Sequence, residues 1–264
     1  MKPTLIERLM SRYLDRLVAS PRGRAHLLNQ LADAESNGEG AVFDRLLERV
    51  EDPELKKLIA RHASDEVMHA AMFRTALART GVPMGPAPDH LKMIDRLDRA
   101  TDSLFDKGIQ SDLDVMKAYV LLQVVEERAT EQFAVFQRVF EKYDPETAKV
   151  IGQIITDEER HLKYCRAIAR RYAPDARTLE DALTHYRAVE AVVFAVNSKA
   201  NMAWCLEQDY LAIGPVEKLL WRGVAKVTER VDKPRTTRFW DKGTEPETIA
   251  RYAGAAGAVA AAAA

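Results

Sequence analysis

The chain repeats itself. Displaced by 92 residues, segment 35–79 lies over 127–171 and sets Glu35 on Glu127, Glu39 on Glu131, and Asp52-Pro53-Glu54 on Asp144-Pro145-Glu146. Asp65, Glu66 and His69 fall on Asp157, Glu158 and His161. Lys57, Ile59, Arg74 and Arg79 meet Lys149, Ile151, Arg166 and Arg171. These are 12 identities in 45 ungapped positions, where unrelated sequences at ordinary composition give roughly three. The matched residues are helix starts and metal-ligand types, so a duplicated helix pair is the reading.

Both copies sit in a helical pattern. Large apolar residues recur every three or four positions, and strand-like alternation is scarce. The pattern predicts a first helix over residues 3–19, then one from Ser20-Pro21 to about Val50. Asp52-Pro53-Glu54 starts a helix running to Thr80 and stopping at Gly81. Residues 82–110, with Pro83, Gly85, Pro86 and Pro88, read as a long crossover holding a short helical piece near 90–105. Ser111 and Asp114 resemble a capping pair for a helix to about Lys142. Asp144-Pro145-Glu146 opens the next helix, to about Tyr172. Thr178 begins another, ending before Gly214-Pro215, and a last helix covers 216–231. The domain reading is an N-terminal helix (1–20), a four-helix bundle (21–175), a C-terminal helical extension packed on it (176–232) and an irregular, alanine-rich tail (233–264).

Glu66-x-x-His69 and Glu158-x-x-His161 each place two ligand types on one helix face. Each has a glutamate 31 residues upstream, Glu35 or Glu127. With turns near 51 and 143, Glu35 and Glu66 lie about equally far from their turn and come level across an antiparallel pair. Two such hairpins bring four carboxylates and two imidazoles to one layer, the di-metal carboxylate pattern of helix bundles. Four carboxylates offset most of the charge of two divalent ions. Metal-bound imidazoles commonly donate their other N–H to a carboxylate, so Asp65 is assigned to His161 and Asp157 to His69, across the bundle.

Glu39 and Glu131 lie one turn beyond Glu35 and Glu127 on the same face. They read either as flank carboxylates or as extra ligands, a proton relay or a metal entry route; a one-turn register change would make them the ligands. Glu126 falls off the face, and His26, His62, His90 and His185 read as structural or surface residues. Arg74, Arg79, Arg166 and Arg171 read as solvated helix ends.

The formal charge of −1 gives no sign of a nucleic-acid or membrane-surface binder. No stretch is long and apolar enough for a transmembrane helix, and no signal-peptide h-region is seen. Cys165 and Cys205 do not form a Cys-x-x-Cys pair, which excludes a cysteine-based zinc or rubredoxin-type site and fits a reduced cytoplasmic protein.

At Asp65-Glu66-Val67-Met68-His69-Ala70 with Phe73-Arg74, and at Asp157-Glu158-Glu159-Arg160-His161, the chain resembles the ferritin-like superfamily of non-haem di-iron carboxylate proteins, which includes rubrerythrins, bacterioferritins and di-iron oxidases. The resemblance spans about residues 22–172. It implies an all-α, ferritin-like four-helix bundle holding two metal ions, iron or a manganese–iron pair, that react with dioxygen or peroxide. Glu35, Glu66, His69, Glu127, Glu158 and His161 carry over as ligands and catalytic centre, with Glu66 and Glu158 as the bridging pair. The rubredoxin-like four-cysteine module typical of rubrerythrins is missing, and storage ferritins lack helices like those after residue 178. The expectation is therefore an oxidase or oxygenase acting on a small organic substrate, as a homodimer with an electron-donor protein. The C-terminal helix, with Val192, Val193, Phe194, Met202, Trp204, Leu206, Tyr210 and Leu211, either closes one side of a substrate pocket or packs on the bundle. The alternatives are a ferroxidase or rubrerythrin-like peroxidase handling iron or hydrogen peroxide, and a non-catalytic helical interaction protein.

Overall fold

The computed structural model describes residues 5–38 and 40–228. The expectations for the 233–264 tail and for Glu39 lie outside them. Among the described residues the secondary structure is all helical.

Helix α1 (Leu5–Ala19) leads into α2 (Pro21–Asp33), a π-helical segment (Ala34–Gly38) and α3 (Gly40–Arg49). The single helix expected over this stretch is therefore broken at the π turn. Helix α4 (Pro53–Arg79) follows, then a crossover with a 3-10 turn (Asp89–Leu91), α5 (Met93–Ala100) and α6 (Leu104–Lys107). Helices α7 (Asp112–Tyr143) and α8 (Pro145–Tyr172) form a hairpin around Asp144 alone. Helix α9 (Ala176–Glu207) packs on α7, and α10 (Pro215–Thr228) packs on α9.

The starts follow local chemistry. Ser20 accepts a hydrogen bond from Gly23 N, Asp52 from Glu54 N and Leu55 N, and Asp144 from Thr147 N, each ahead of a proline in the first turn. Ser111 and Asp114 close a reciprocal capping box on α7. Gly81, at φ 66°, follows the last turn of α4 in the left-handed conformation that glycine tolerates best. Asp175, not Thr178, caps α9. That helix stops at Glu207, six residues short of the expected end, where Asp209 enters the left-handed region at φ 52°. Gly23 lets α2 start tightly under α1: a Cβ there would run into the backbone carbonyls of Leu17 and Tyr210.

Two apolar clusters stack along the hairpins. One contains Phe43, Leu46, Leu58, Ile59, Tyr119, Tyr164 and Ile168. The other contains Leu28, Phe73, Phe133, Phe140, Ile151 and Ile154. Helices α4 and α7 pass from the first cluster to the second; α2–α3 and α8 pass the other way. Each hairpin is thus antiparallel, and the crossover sets α4 and α7 in the same direction. Arg79 at the end of α4 approaches Asp144 at 3.7 Å, and Arg171 at the end of α8 approaches Asp52 at 3.9 Å. Arg79 and Arg171 thus approach the capping aspartates crosswise between hairpins, while Arg74 and Arg171 stay exposed, as expected of solvated helix ends. Arg166, by contrast, is buried.

Candidate metal centre

Between the two clusters every helix of the hairpins turns polar residues inward. On α4 these are His62, Glu66 and His69, flanked by Ile59 and Phe73. On α8 they are Glu158 and His161, flanked by Ile154 and Tyr164. The three histidines are fully buried, and Glu66, Glu126 and Glu158 are less than 5% exposed.

The donor atoms fall into two groups of four: Glu35, Glu66, His69 and Glu158, and His62, Glu66, Glu126 and His161. Within each group they lie within 4.8 Å of one another. Glu66 belongs to both. Glu158 also spans them, with one oxygen 3.4 Å from His69 Nδ1 and the other 3.0 Å from His161 Nδ1. Five of the six expected ligands, Glu35, Glu66, His69, Glu158 and His161, therefore converge, as do the two glutamates expected to bridge.

The outer carboxylates lie where the sequence puts them. His161 Nε2 meets Asp65 at 3.2 Å, and His69 Nε2 meets Asp157 at 3.3 Å. An Nε2–H donated outward leaves each Nδ1 lone pair facing the glutamates. Arg160 holds both aspartates, Asp65 at 2.7 Å and Asp157 at 2.6 Å. Its counterpart in the first copy is Met68, so the repeat does not reveal this clamp.

Glu127 is not in the centre. It accepts hydrogen bonds from Arg187 on α9, at 3.0 and 3.2 Å, and from Gln123 at 2.8 Å. Glu126, expected to point away, takes its place. One residue rotates a side chain by about 100° around a helix, so the correction is a single step of register. The cause lies in the halves' unequal geometry. A π turn interrupts the first helix at Glu35, and three residues separate α3 from α4, but α7 runs unbroken to within one residue of α8. Equal sequence spacing thus gives unequal rotation. Glu131, the other flank carboxylate, is exposed.

His62 was expected to be structural and instead joins the centre. Its Nε2 donates to Glu126 at 2.9 Å and lies 3.3 Å from Glu66, and its ring stacks on His161 at 3.8 Å between centroids. The missed signal is its spacing, four residues before Glu66 on the same face.

Electrostatics favour a cation here. Burial and the charge of Glu66 push the Glu35 carboxyl well above the usual carboxylate range. Burial opposes charge on His69, yet its contacts with Glu35 and Glu66 raise it to about 11; burial likewise opposes charge on His161, but Glu158 and Asp65 raise it to about 9. Burial and the neighbouring His161 lower His62 to about 4. Side-chain atoms Glu66 Oε1, His62 Nδ1 and His69 Nδ1 are buried without hydrogen-bond partners. Crowded buried carboxylates are costly unless positive charge joins them, and both donor groups could hold a metal ion. Cys165 and Cys205 are buried and lie outside both donor groups. No described helix is long and apolar enough to cross a membrane.

Comparison with protein-family models, with curated proteins and with solved structures gave no match.

Proposed function

We propose that this chain is a ferritin-like di-metal carboxylate oxidoreductase that uses dioxygen to oxidise or oxygenate a small organic substrate. The observation that carries this reading is the sharing of Glu66 and Glu158 between two adjacent donor groups. A structural salt-bridge cluster needs no such division, whereas two neighbouring cations bridged by carboxylates do. Hairpins joined by a long crossover, with one glutamate helix and one Glu-x-x-His helix in each, support the same assignment.

Glu35 and His69 would hold one ion, Glu126 and His161 the other, and Glu66 and Glu158 both, with His62 beside the second. A nitrogen and oxygen donor set without thiolate suits iron or manganese. Such ions, when bound, supply redox reactivity toward dioxygen. The protein supplies the rest. Asp65 and Asp157 fix the imidazole tautomers, and Arg160 fixes the aspartates. The apolar clusters on either side, closed by Phe43 and Tyr164 at one end and Phe73 and Phe133 at the other, keep bulk water from the layer.

The test is metal analysis of the purified chain with oxygen uptake under reducing conditions. The expected result is about two iron or manganese ions per chain, with stoichiometry and uptake both lost in His69→Ala and His161→Ala. Unchanged metal content in both variants would refute the assignment.

A further inference from the structure

Beside the hairpins, α1, α2, α5, α7 and α9 line a half-open pocket of about 240 Å³. Leu27, Gln30 and Leu31 line it on α2, and Phe194, Asn197 and Met202 line it on α9. Phe194 and Met202 belong to the apolar set that the sequence offered as a pocket wall. Ala34 also lines it and immediately precedes Glu35 on the π turn, so the cavity abuts the backbone that carries a candidate ligand.

Part of its polar lining is committed. Asn201 donates to Gln30 at 2.5 Å and accepts from His26 at 3.2 Å. Lys92 pairs with Asp89 at 2.8 Å. Two lining residues differ: Asn197, 9% exposed, has a buried Oδ1 with no hydrogen-bond partner, and Tyr13, 5% exposed, has a buried hydroxyl with none. A buried acceptor without a donor is costly, so a ligand that brings one gains from it. Asp33 and Asp95 in the lining disfavour an anion. A cavity of about 150 Å³ holds benzene, so this one holds about ten heavy atoms by proportion.

We propose that this cavity binds a neutral amphiphile of about ten heavy atoms, an apolar chain or ring carrying one hydroxyl that bonds to Asn197. As a binding site it stands alone; as the substrate site it rests on the redox reading above.

The test uses the full-length protein stripped with a chelator, titrated calorimetrically with 1-octanol and with 1-methoxyheptane, an ether of equal size lacking the O–H. Octanol is expected to bind one to one, about fivefold or more tighter than the ether. Asn197→Ala should erase that difference and leave the ether's affinity unchanged. Ser198→Phe fills the cavity from α9 and should abolish both; Ala87→Leu, from the crossover, serves the same purpose if the first variant does not fold. No octanol binding, equal affinity for the two ligands, or binding retained in folded filled variants would overturn the proposal. Because the titration is metal-free, its failure is distinct from a failure of metal analysis.

Discussion

Asp65 on α4 reaches His161 on α8 at 3.2 Å, and Asp157 on α8 answers with His69 on α4 at 3.3 Å. Each hairpin therefore orients the imidazole of the other, and the two copies of the repeat complete each other's site. Asp65→Asn keeps the shape but loses the charge that holds the His161 N–H and Arg160. Loss of such a partner typically costs 10- to 100-fold in metal affinity, roughly. Competition with a chromogenic chelator should show a drop of that order in Asp65→Asn and Asp157→Asn. Wild-type affinity in both would mean that the aspartates only make ion pairs with Arg160.

Glu126 and Glu127 give a sharper contrast, because neighbours on one helix have opposite assignments. Glu126→Ala removes a donor from the second group and should lower metal stoichiometry from about two toward one. Glu127→Ala leaves both donor groups intact and should keep the metal. It frees Arg187, 12% exposed in its side chain, so chemical denaturation should show a loss of about 1–3 kcal/mol. If Glu127→Ala loses metal and Glu126→Ala keeps it, the register inferred from sequence spacing is right and the structure's is wrong.

That contrast also marks how far the sequence could be read. Asp52, Ser111 and Asp144 cap helices as their motifs predict, and five of the converging positions follow from Glu-x-x-His spacing and distance from the turn. Which of Glu126 and Glu127 matches Glu35 was not legible, because the π turn at Ala34–Gly38 and the unequal inter-helix turns make equal spacing in the two halves give unequal rotation. A π turn adds a residue without changing composition or hydrophobic pattern. His62 was missed for a related reason: its counterpart is Ile154, so a search for symmetric ligands passes over it. Arg160 opposite Met68 is the same case. Duplication reveals what the halves share, and the asymmetric additions escape it.

Asp144 carries a pH-dependent part of the fold. It caps α8 through Thr147 N at 3.1 Å and the Thr147 hydroxyl at 2.6 Å, with Arg79 nearby. Burial opposes its charge, but the bonds from Thr147 and the charge of Arg79 lower the carboxyl below its ordinary 3.8. A depressed carboxylate contributes stability that is present above the unfolded value and lost as pH falls through the folded one. Asp144→Ala should therefore cost about 1 kcal/mol at pH 7. The gap from wild type should shrink as pH drops below 3.8. Urea denaturation of metal-free protein at several pH values measures it, and a gap that widened in acid would contradict the capping account.

Helix α9 is fastened to α7 by a buried ion pair, with Glu190 accepting from Arg128 Nε at 2.6 Å and from its second nitrogen at 3.0 Å while the guanidinium lies over Phe194 at 3.7 Å. The Glu190 side chain is 1% exposed and that of Arg128 10%. Removing one partner leaves the other charge buried, at a cost of about 3–5 kcal/mol. Glu190→Leu should show a loss in that range by equilibrium denaturation, and Arg128→Leu a comparable one. The double variant, with no orphaned charge, should be less destabilised than the sum of the singles by more than about 1 kcal/mol. Because Arg128 follows Glu126 and Glu127 directly, the pair also sets the rotation of α7 that aims Glu126 inward. Glu190→Leu should therefore weaken metal binding as well, and the double variant, which restores packing but not the anchor, should not recover it. Strictly additive losses with unchanged metal affinity would show that α9 rests on the bundle without orienting it.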